Sequence, residues 1–192
     1  VGGKFFAHFT ENVTSVWKVY NINGKFLYDV KLPGKGIVNG FNGKKDQFIT
    51  WYSFNNSVNP STIYQYDIEK NISNVYKESE AKFDRSKYTL RQEFYSSKDG
   101  TKIPIFIAHK KGLKMDGKRP TLLYGYGGFN VVEKPYFSKV NSILLENEGV
   151  FALANLRGGG EYGQNWHEAG MLLNKQNVFD DFIAAAEFLV ES

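Results

Sequence analysis

Two glycine-framed stretches hold the side chains best placed to do chemistry: Tyr124-Gly125-Tyr126-Gly127-Gly128-Phe129, and Leu156-Arg157-Gly158-Gly159-Gly160-Glu161-Tyr162-Gly163. Each follows a short apolar run, Thr121 to Tyr124 in one case and Val150 to Leu156 in the other. An apolar run that stops in glycines is how a buried parallel strand delivers its backbone to a site at the carboxyl edge of an α/β sheet. In the first stretch small residues surround Tyr126, which frees the backbone for tight turns and leaves open space over the sheet edge. A phenol fixed there is an O–H donor. Aimed at a developing oxyanion, it would stabilise an acyl-transfer transition state by about 3 kcal/mol. The same pattern also fits a packed aromatic whose hydroxyl bonds a backbone carbonyl, and Phe129 taken alone reads as core.

The second stretch contains Gly158-x-Gly160-x-x-Gly163, a formal dinucleotide-loop pattern, with Asp180 and Asp181 about 20 residues on, near the spacing for ribose recognition. That loop must open directly into a helix facing the pyrophosphate. Here a polar aromatic segment, Gln164 to His167, is expected first. Asp180 and Asp181 are expected in the first turn of a helix, where they suit the macrodipole and need no ligand. Nucleotide binding is therefore set aside, and the glycines are read as tight turns at the sheet edge.

Other chemistries are excluded by composition. There is no cysteine, so disulfides, thiolate catalysis and thiolate zinc sites fall away. The histidines, His8, His109 and His167, are scattered and no paired acidic cluster accompanies them, which supports no metal site and no cofactor. His8 and His109 sit in strand patterns; His167 lies near the glycine loop and could touch a substrate. The net charge is +4, but Lys and Arg are interspersed with acids, which reads as solvated surface and not as a nucleic-acid face. No apolar run approaches the roughly 20 residues that span a bilayer. The chain begins at Val1 without an initiator Met, so nothing follows about export.

Ahead of these two stretches, residues 3 to 77 hold short alternating runs separated by Asn23-Gly24, Pro33-Gly34, Asn42-Gly43 and Asn59-Pro60, all turn signals. They suggest repeated antiparallel units of roughly 40 residues, the size of a propeller blade; a small β-sandwich is the other reading. The charged stretch 78 to 88 marks a domain boundary. Leu90 to Ser96 and Lys102 to His109 form a hairpin around Asp99-Gly100. From Pro120 the order becomes strand, glycine loop, helix, strand, glycine loop, helix, which predicts a mostly parallel sheet wrapped by helices. Ser138 is expected to cap a helix burying Val140, Ile143 and Leu144, with Gly149 ending it. Asn177 is expected to cap a second helix, with Asp180 completing the box and Phe179, Phe182, Ile183, Ala186 and Leu189 facing the sheet.

The strings YGYGGF, ANLRGGGEYGQNWHEAG and NKQNVFDDFIAAAE, with SKDGTKIPIFIAHKKGLK before them, resemble the prolyl oligopeptidase family of serine peptidases. The related oligopeptidase B also has a Gly-rich Tyr loop and RGGGE; the GGF and GEYG found here favour the proline-specific branch. The resemblance implies a seven-bladed β-propeller joined to an α/β-hydrolase domain. Residues 1–80 would be the last blades, and 81–192 the first half of the hydrolase domain. Tyr126 takes the place of the family's phenolic oxyanion donor. Phe129 takes that of the ring lining the proline-accepting pocket. The implied reaction is cleavage of short peptides after proline, by a parent expected to be a soluble monomer without membrane attachment, in the cytoplasm with periplasm or export left open. An α/β-hydrolase also needs a G-x-S-x-G nucleophile elbow, then an acid and a histidine. No serine here has that context. The triad is expected beyond Ser192, and this piece is expected to be inert. An oligopeptidase B-like enzyme, or a non-catalytic scaffold, is the alternative.

Overall fold

The computed structural model describes residues 1–114 and 116–191. The first half is built from antiparallel meanders. β1 (Lys4–Glu11), β2 (Thr14–Asn21) and β3 (Phe26–Asp29) form one sheet; β4 (Ile37–Gly40), β5 (Ile49–Asn56), β6 (Asn59–Asp67) and β7 (Ile72–Lys77) form a second, in sequence order. Alternation puts Trp17 and Val19 of β2, Tyr52 and Phe54 of β5, and Tyr64 and Tyr66 of β6 into one shared core. Phe41 stacks on Tyr52 at 4.8 Å and Tyr52 on Tyr64 at 5.1 Å, so the aromatic richness of this half is spent on ring-to-ring packing.

Two expectations change here. Asn59-Pro60 opens β6; the turn before it is Ser57-Val58. Strand β7 was not anticipated, because Ile72, Val75 and Tyr76 are exposed on an outer edge and leave no alternating burial to read.

The second half holds β8 (Tyr88–Ser96), β9 (Lys102–Lys110), β10 (Thr121–Tyr124) and β11 (Val150–Ala154), in the order β10-β11-β9-β8. Only β10 and β11 run parallel; β11 pairs antiparallel with β9, and β9 with β8. The expected mostly parallel sheet is thus a mixed one: the tight hairpin at Asp99-Gly100 fixes β8 and β9 antiparallel, and β11 inserts beside β9. Strand β9 is covered on both faces. Ile103, Ile105 and Ile107 pack toward Val178 and Ala185, whereas Phe106 and Ala108 pack toward Leu145 and Val13.

The helices are α1 (Lys139–Glu146), α2 (Gln164–Glu168) and α3 (Gln176–Glu191). Ser138 caps α1, its Oγ accepting from the Asn141 N–H at 3.3 Å. The face differs from the expected one: Leu145 is fully buried, while Val140 and Ile143 are exposed. The left-handed residue closing α1 is Glu148 (φ 60°), not Gly149. Gly149 is required for a different reason, since a Cβ there would lie 2.4 Å from Leu144 Cδ1. In α3 the buried face is Val178, Asp181 and Ala185, one position away from the expected face; Phe179, Phe182 and Ile183 are exposed. Asn177 lies within α3 instead of capping it, and its Nδ2 donates to Ala169 O at 2.9 Å. Among the described residues no helix is long and apolar enough to cross a membrane.

Candidate functional site

Tyr126 lies one residue past the end of β10, across Gly125, so it stands at the carboxyl end of a strand in the parallel pair. Its side chain is 46% exposed, and among the described residues nothing hydrogen-bonds its hydroxyl. The packed alternative, with the hydroxyl tied to a backbone carbonyl, is not the arrangement found. The loop beneath it is pressed tightly against the second glycine stretch. A Cβ on Gly127 (φ +59°) would lie 2.5 Å from Val178 Cγ1 and 3.0 Å from Arg157 O; one on Gly125 would lie 2.9 Å from Leu156 Cδ1. Lys175 Nζ donates to Gly127 O at 2.8 Å and fixes the turn from the α3 side.

Phe129 is the most open aromatic of the loop, 86% exposed, with a left-handed backbone (φ 51°) continued by Asn130 (φ 56°). A bulky non-glycine residue in that region is uncommon and costs free energy. A ring left in solvent by a strained turn is placed for something other than the core.

The second stretch forms the floor of the site. Gly158 N–H donates to Trp166 O at 2.9 Å, Gly160 N–H to Val131 O at 3.1 Å, and Gly163 N–H to Gly160 O at 3.1 Å. A helix, α2, does open straight after Gly163, unlike the irregular segment expected, but it has only five residues. The loop amides are consumed by protein carbonyls, and the space over Gly158, Gly159 and Gly160 is filled by neighbouring backbone: a Cβ on Gly158 would lie 2.7 Å from Gly127 O. That leaves no phosphate cradle. His167 helps hold the loop, its Nδ1 lying 2.7 Å from Gly158 O. His8 bonds Ser15 Oγ through Nε2 at 2.9 Å and stacks on Trp17, and His109 Nδ1 lies 2.9 Å from Lys110 O. The histidines are therefore far apart in role, and no group of three His, Cys, Asp or Glu suited to a metal occurs among the described residues.

The residue that sequence reasoning missed is Arg157. It is buried, and its Nη2 donates to Asp181 Oδ1 at 2.6 Å, its Nε to Asp181 Oδ2 at 3.0 Å and its Nη1 to Asp99 Oδ2 at 2.6 Å. Its own N–H also donates to Asp181 Oδ2 at 3.1 Å. Asp181 is fully buried, so it is an ion-pair partner inside α3 and not a first-turn acid. Asp180 accepts from Gln176 Nε2 on the exposed side. An acid at helical spacing between Val178 and Ala185, on an apolar face, was the available signal for a buried cation partner. The Arg157 guanidinium holds the Asp99 carboxyl down at about 2. The opposite holds for Glu161, where burial pushes the carboxyl up although Glu133 N–H and Asn155 Nδ2 donate to it at 3.1 and 3.2 Å.

The arrangement supplies an exposed phenol donor and an exposed aromatic, on a glycine floor clamped by a buried arginine. It supplies positioning and hydrogen-bond donation, with no activated nucleophile in the loop.

Comparison with known proteins assigns the two halves. The family model described as the prolyl oligopeptidase N-terminal beta-propeller domain matches residues 1–79, and that of the prolyl oligopeptidase family matches residues 135–192. A prolyl endopeptidase of Elizabethkingia meningoseptica is 50% identical over 188 residues, covering 98% of this chain and 27% of the relative. One from Dictyostelium discoideum is 44% identical over 192 residues, covering 98% of this chain and 25% of the relative. Among solved structures, one from a structural and mechanistic study of two prolyl endopeptidases aligns with a TM-score of 0.87 at 44% identity, covering all of this chain and 28% of that one. Apo prolyl oligopeptidase B from Galerina marginata aligns with a TM-score of 0.90 at 34% identity, covering 99% of this chain and 28% of its own. The chain thus spans about a quarter of the length of the curated relatives it matches. Its β meanders belong to a propeller, its mixed sheet and helices to the start of an α/β-hydrolase fold, and the chain is a member of the prolyl oligopeptidase family.

Proposed function

We propose that this chain is part of a serine-type prolyl endopeptidase that hydrolyses short peptides on the carboxyl side of proline. Residues 1–80 contribute the last propeller blades and 81–192 the first half of the peptidase domain. The nucleophile, acid and base come from sequence outside these residues, so the 192-residue segment has no peptidase activity by itself.

The observation that carries this reading is the Tyr126 hydroxyl: half-exposed, unpaired among the described residues, and carried at the carboxyl end of a strand over a glycine floor. When a nucleophilic oxygen adds to the scissile carbonyl, negative charge gathers on the carbonyl oxygen. A phenol already fixed over the sheet edge donates its O–H to that charge without reorganising, and the interaction is stronger in the transition state than in the ground state. Phe129 offers its open ring to the proline side chain, an apolar contact that favours a compact imino-acid ring in the pocket. No metal or cofactor takes part in these steps. The substrate is a short proline-containing peptide, and the parent acts as a monomer without nucleic-acid or membrane partners.

The test is hydrolysis of a Gly-Pro fluorogenic peptide by the full-length protein that carries this segment. Tyr126→Phe is expected to lower kcat by about a hundredfold while leaving thermal unfolding unchanged, as for loss of one oxyanion donor. Unchanged turnover would remove Tyr126 from the mechanism.

A further inference from the structure

The tip of the β1–β2 hairpin carries two residues that peptide hydrolysis does not use. Asn12 (φ 46°) and Val13 (φ 67°) are both left-handed. For a β-branched residue such a backbone is an outlier, and it persists only where the surroundings impose it. Burial imposes it here: Val13 is 0% exposed and sits in one cluster with Phe106, Leu145, Phe151 and Leu153 of the α/β half. Asn12 carries the contact onward. Its carbonyl accepts from Gln92 Nε2 of β8 at 2.7 Å, and its Oδ1 accepts from the Tyr162 hydroxyl at 3.0 Å.

Tyr162 belongs to the glycine floor. Its ring meets Trp166 edge-on at 4.9 Å, and Trp166 Nε1 donates to Leu156 O, beneath Gly125. On its other side, Glu161 Oε1 accepts from Glu133 N–H and Gly160 N–H donates to Val131 O, both at 3.1 Å. These bonds reach the turn that immediately follows Phe129. A continuous run of contacts therefore joins a hairpin tip of the β half to both sides of the Tyr126 loop.

We infer that Asn12 and Tyr162 form a positioning link through which the seating of the propeller half sets the Tyr126–Phe129 loop. Neither residue touches substrate. The inference rests on the proposed role of Tyr126, but its structural part stands apart from that role and can be read separately. Contiguity alone is not coupling, so the test measures coupling.

In the full-length protein, Asn12→Gly keeps the left-handed turn and deletes Oδ1, and Tyr162→Phe deletes the hydroxyl. Each is expected to lower kcat roughly tenfold with KM within about twofold, short of the hundredfold that a 1 Å misplacement can bring. The double variant is expected to be no slower than the slower single one. By hydrogen exchange, the amides of 126–133 and 158–163 should exchange faster in both variants, with global unfolding unchanged. Losses that multiply in the double variant, a change in KM alone, or unaltered exchange at 126–133 in Asn12→Gly would overturn the link. Faster exchange in Asn12→Gly together with a silent Tyr126→Phe would uphold the link and remove the oxyanion role.

Discussion

At the scale of single residues, the charges are the informative part. Asp99 and Glu161 both serve the glycine floor, yet their carboxyls are displaced in opposite directions. Arg157 draws the Asp99 carboxyl down from 3.8 to about 2. A lowered native pKa stabilises the fold above the unfolded value, and that contribution is lost as pH falls from 3.8 toward 2. Burial raises the Glu161 carboxyl from its ordinary 4.5, so its contribution is present in acid and is lost as pH rises above that value. Because the Asp99 side chain is 47% exposed, solvent screens its share and the effect is modest. Thermal melts of the full-length protein against pH should show Asp99→Asn flattening the acid limb below 3.8, and Glu161→Gln flattening the slope above 4.5. Variants whose curves run parallel to the wild type on those limbs would show that neither acid is linked to folding.

At the scale of elements, the loops after β10 and β11 act as one body, because glycine lets their backbones touch. Gly127 combines a left-handed φ of +59° with three neighbours within 3.0 Å of a would-be Cβ: Val178 Cγ1, Leu156 Cβ and Arg157 O. Strain of about 1–2 kcal/mol and overpacking of about 1–3 kcal/mol add, so Gly127→Ala is expected to cost roughly 2–5 kcal/mol. Gly163 (φ 79°, ψ −158°) lies in a region that essentially only glycine adopts but has open space, so Gly163→Ala should cost only the backbone strain, about 1–3 kcal/mol, without the overpacking. Denaturant unfolding of the two variants checks the difference, and equal losses would mean the loops do not pack as described. This pairing was legible in part. The glycine bursts and strand alternation marked β2, β5, β6, β8, β9, β10 and β11, and they located Tyr126. The register of α3 was not legible, since Phe179, Phe182 and Ile183 on one side compete with Val178, Ala185 and Phe188 on the other, and periodicity cannot choose between two apolar faces. Arg157 with Asp181 was hidden for another reason: the partners lie 24 residues apart, and only the tertiary fold brings them together.

At the scale of the whole chain, the surface is larger than a self-sufficient domain of this mass would have, and large apolar side chains stand on it. The accessible area is 10805 Å², against roughly 9,300 Å² for a compact monomer of 21.9 kDa. The excess lies where packing partners would sit. Strand β10 stands at a sheet edge with Leu122 and Tyr124 exposed, and α3 turns Phe179, Ile183 and Val190 to solvent. On the opposite half, β1 is an edge strand showing Phe5 and Phe9. Unpaired edges rimmed with apolar side chains recruit other chains, and exposed apolar helix faces do the same. The aromatic core of the β meanders and the clamp of Arg157 hold each half together locally, but neither covers these surfaces. Residues 1–192 produced alone are therefore expected to aggregate, or to unfold gradually without a cooperative transition, as judged by size-exclusion chromatography and calorimetry. A soluble monomer of this segment with one sharp melting transition would refute the expectation, and would mean that each half's own core and the packing of the Asn12-Val13 hairpin tip against the α/β half suffice to hold the piece together.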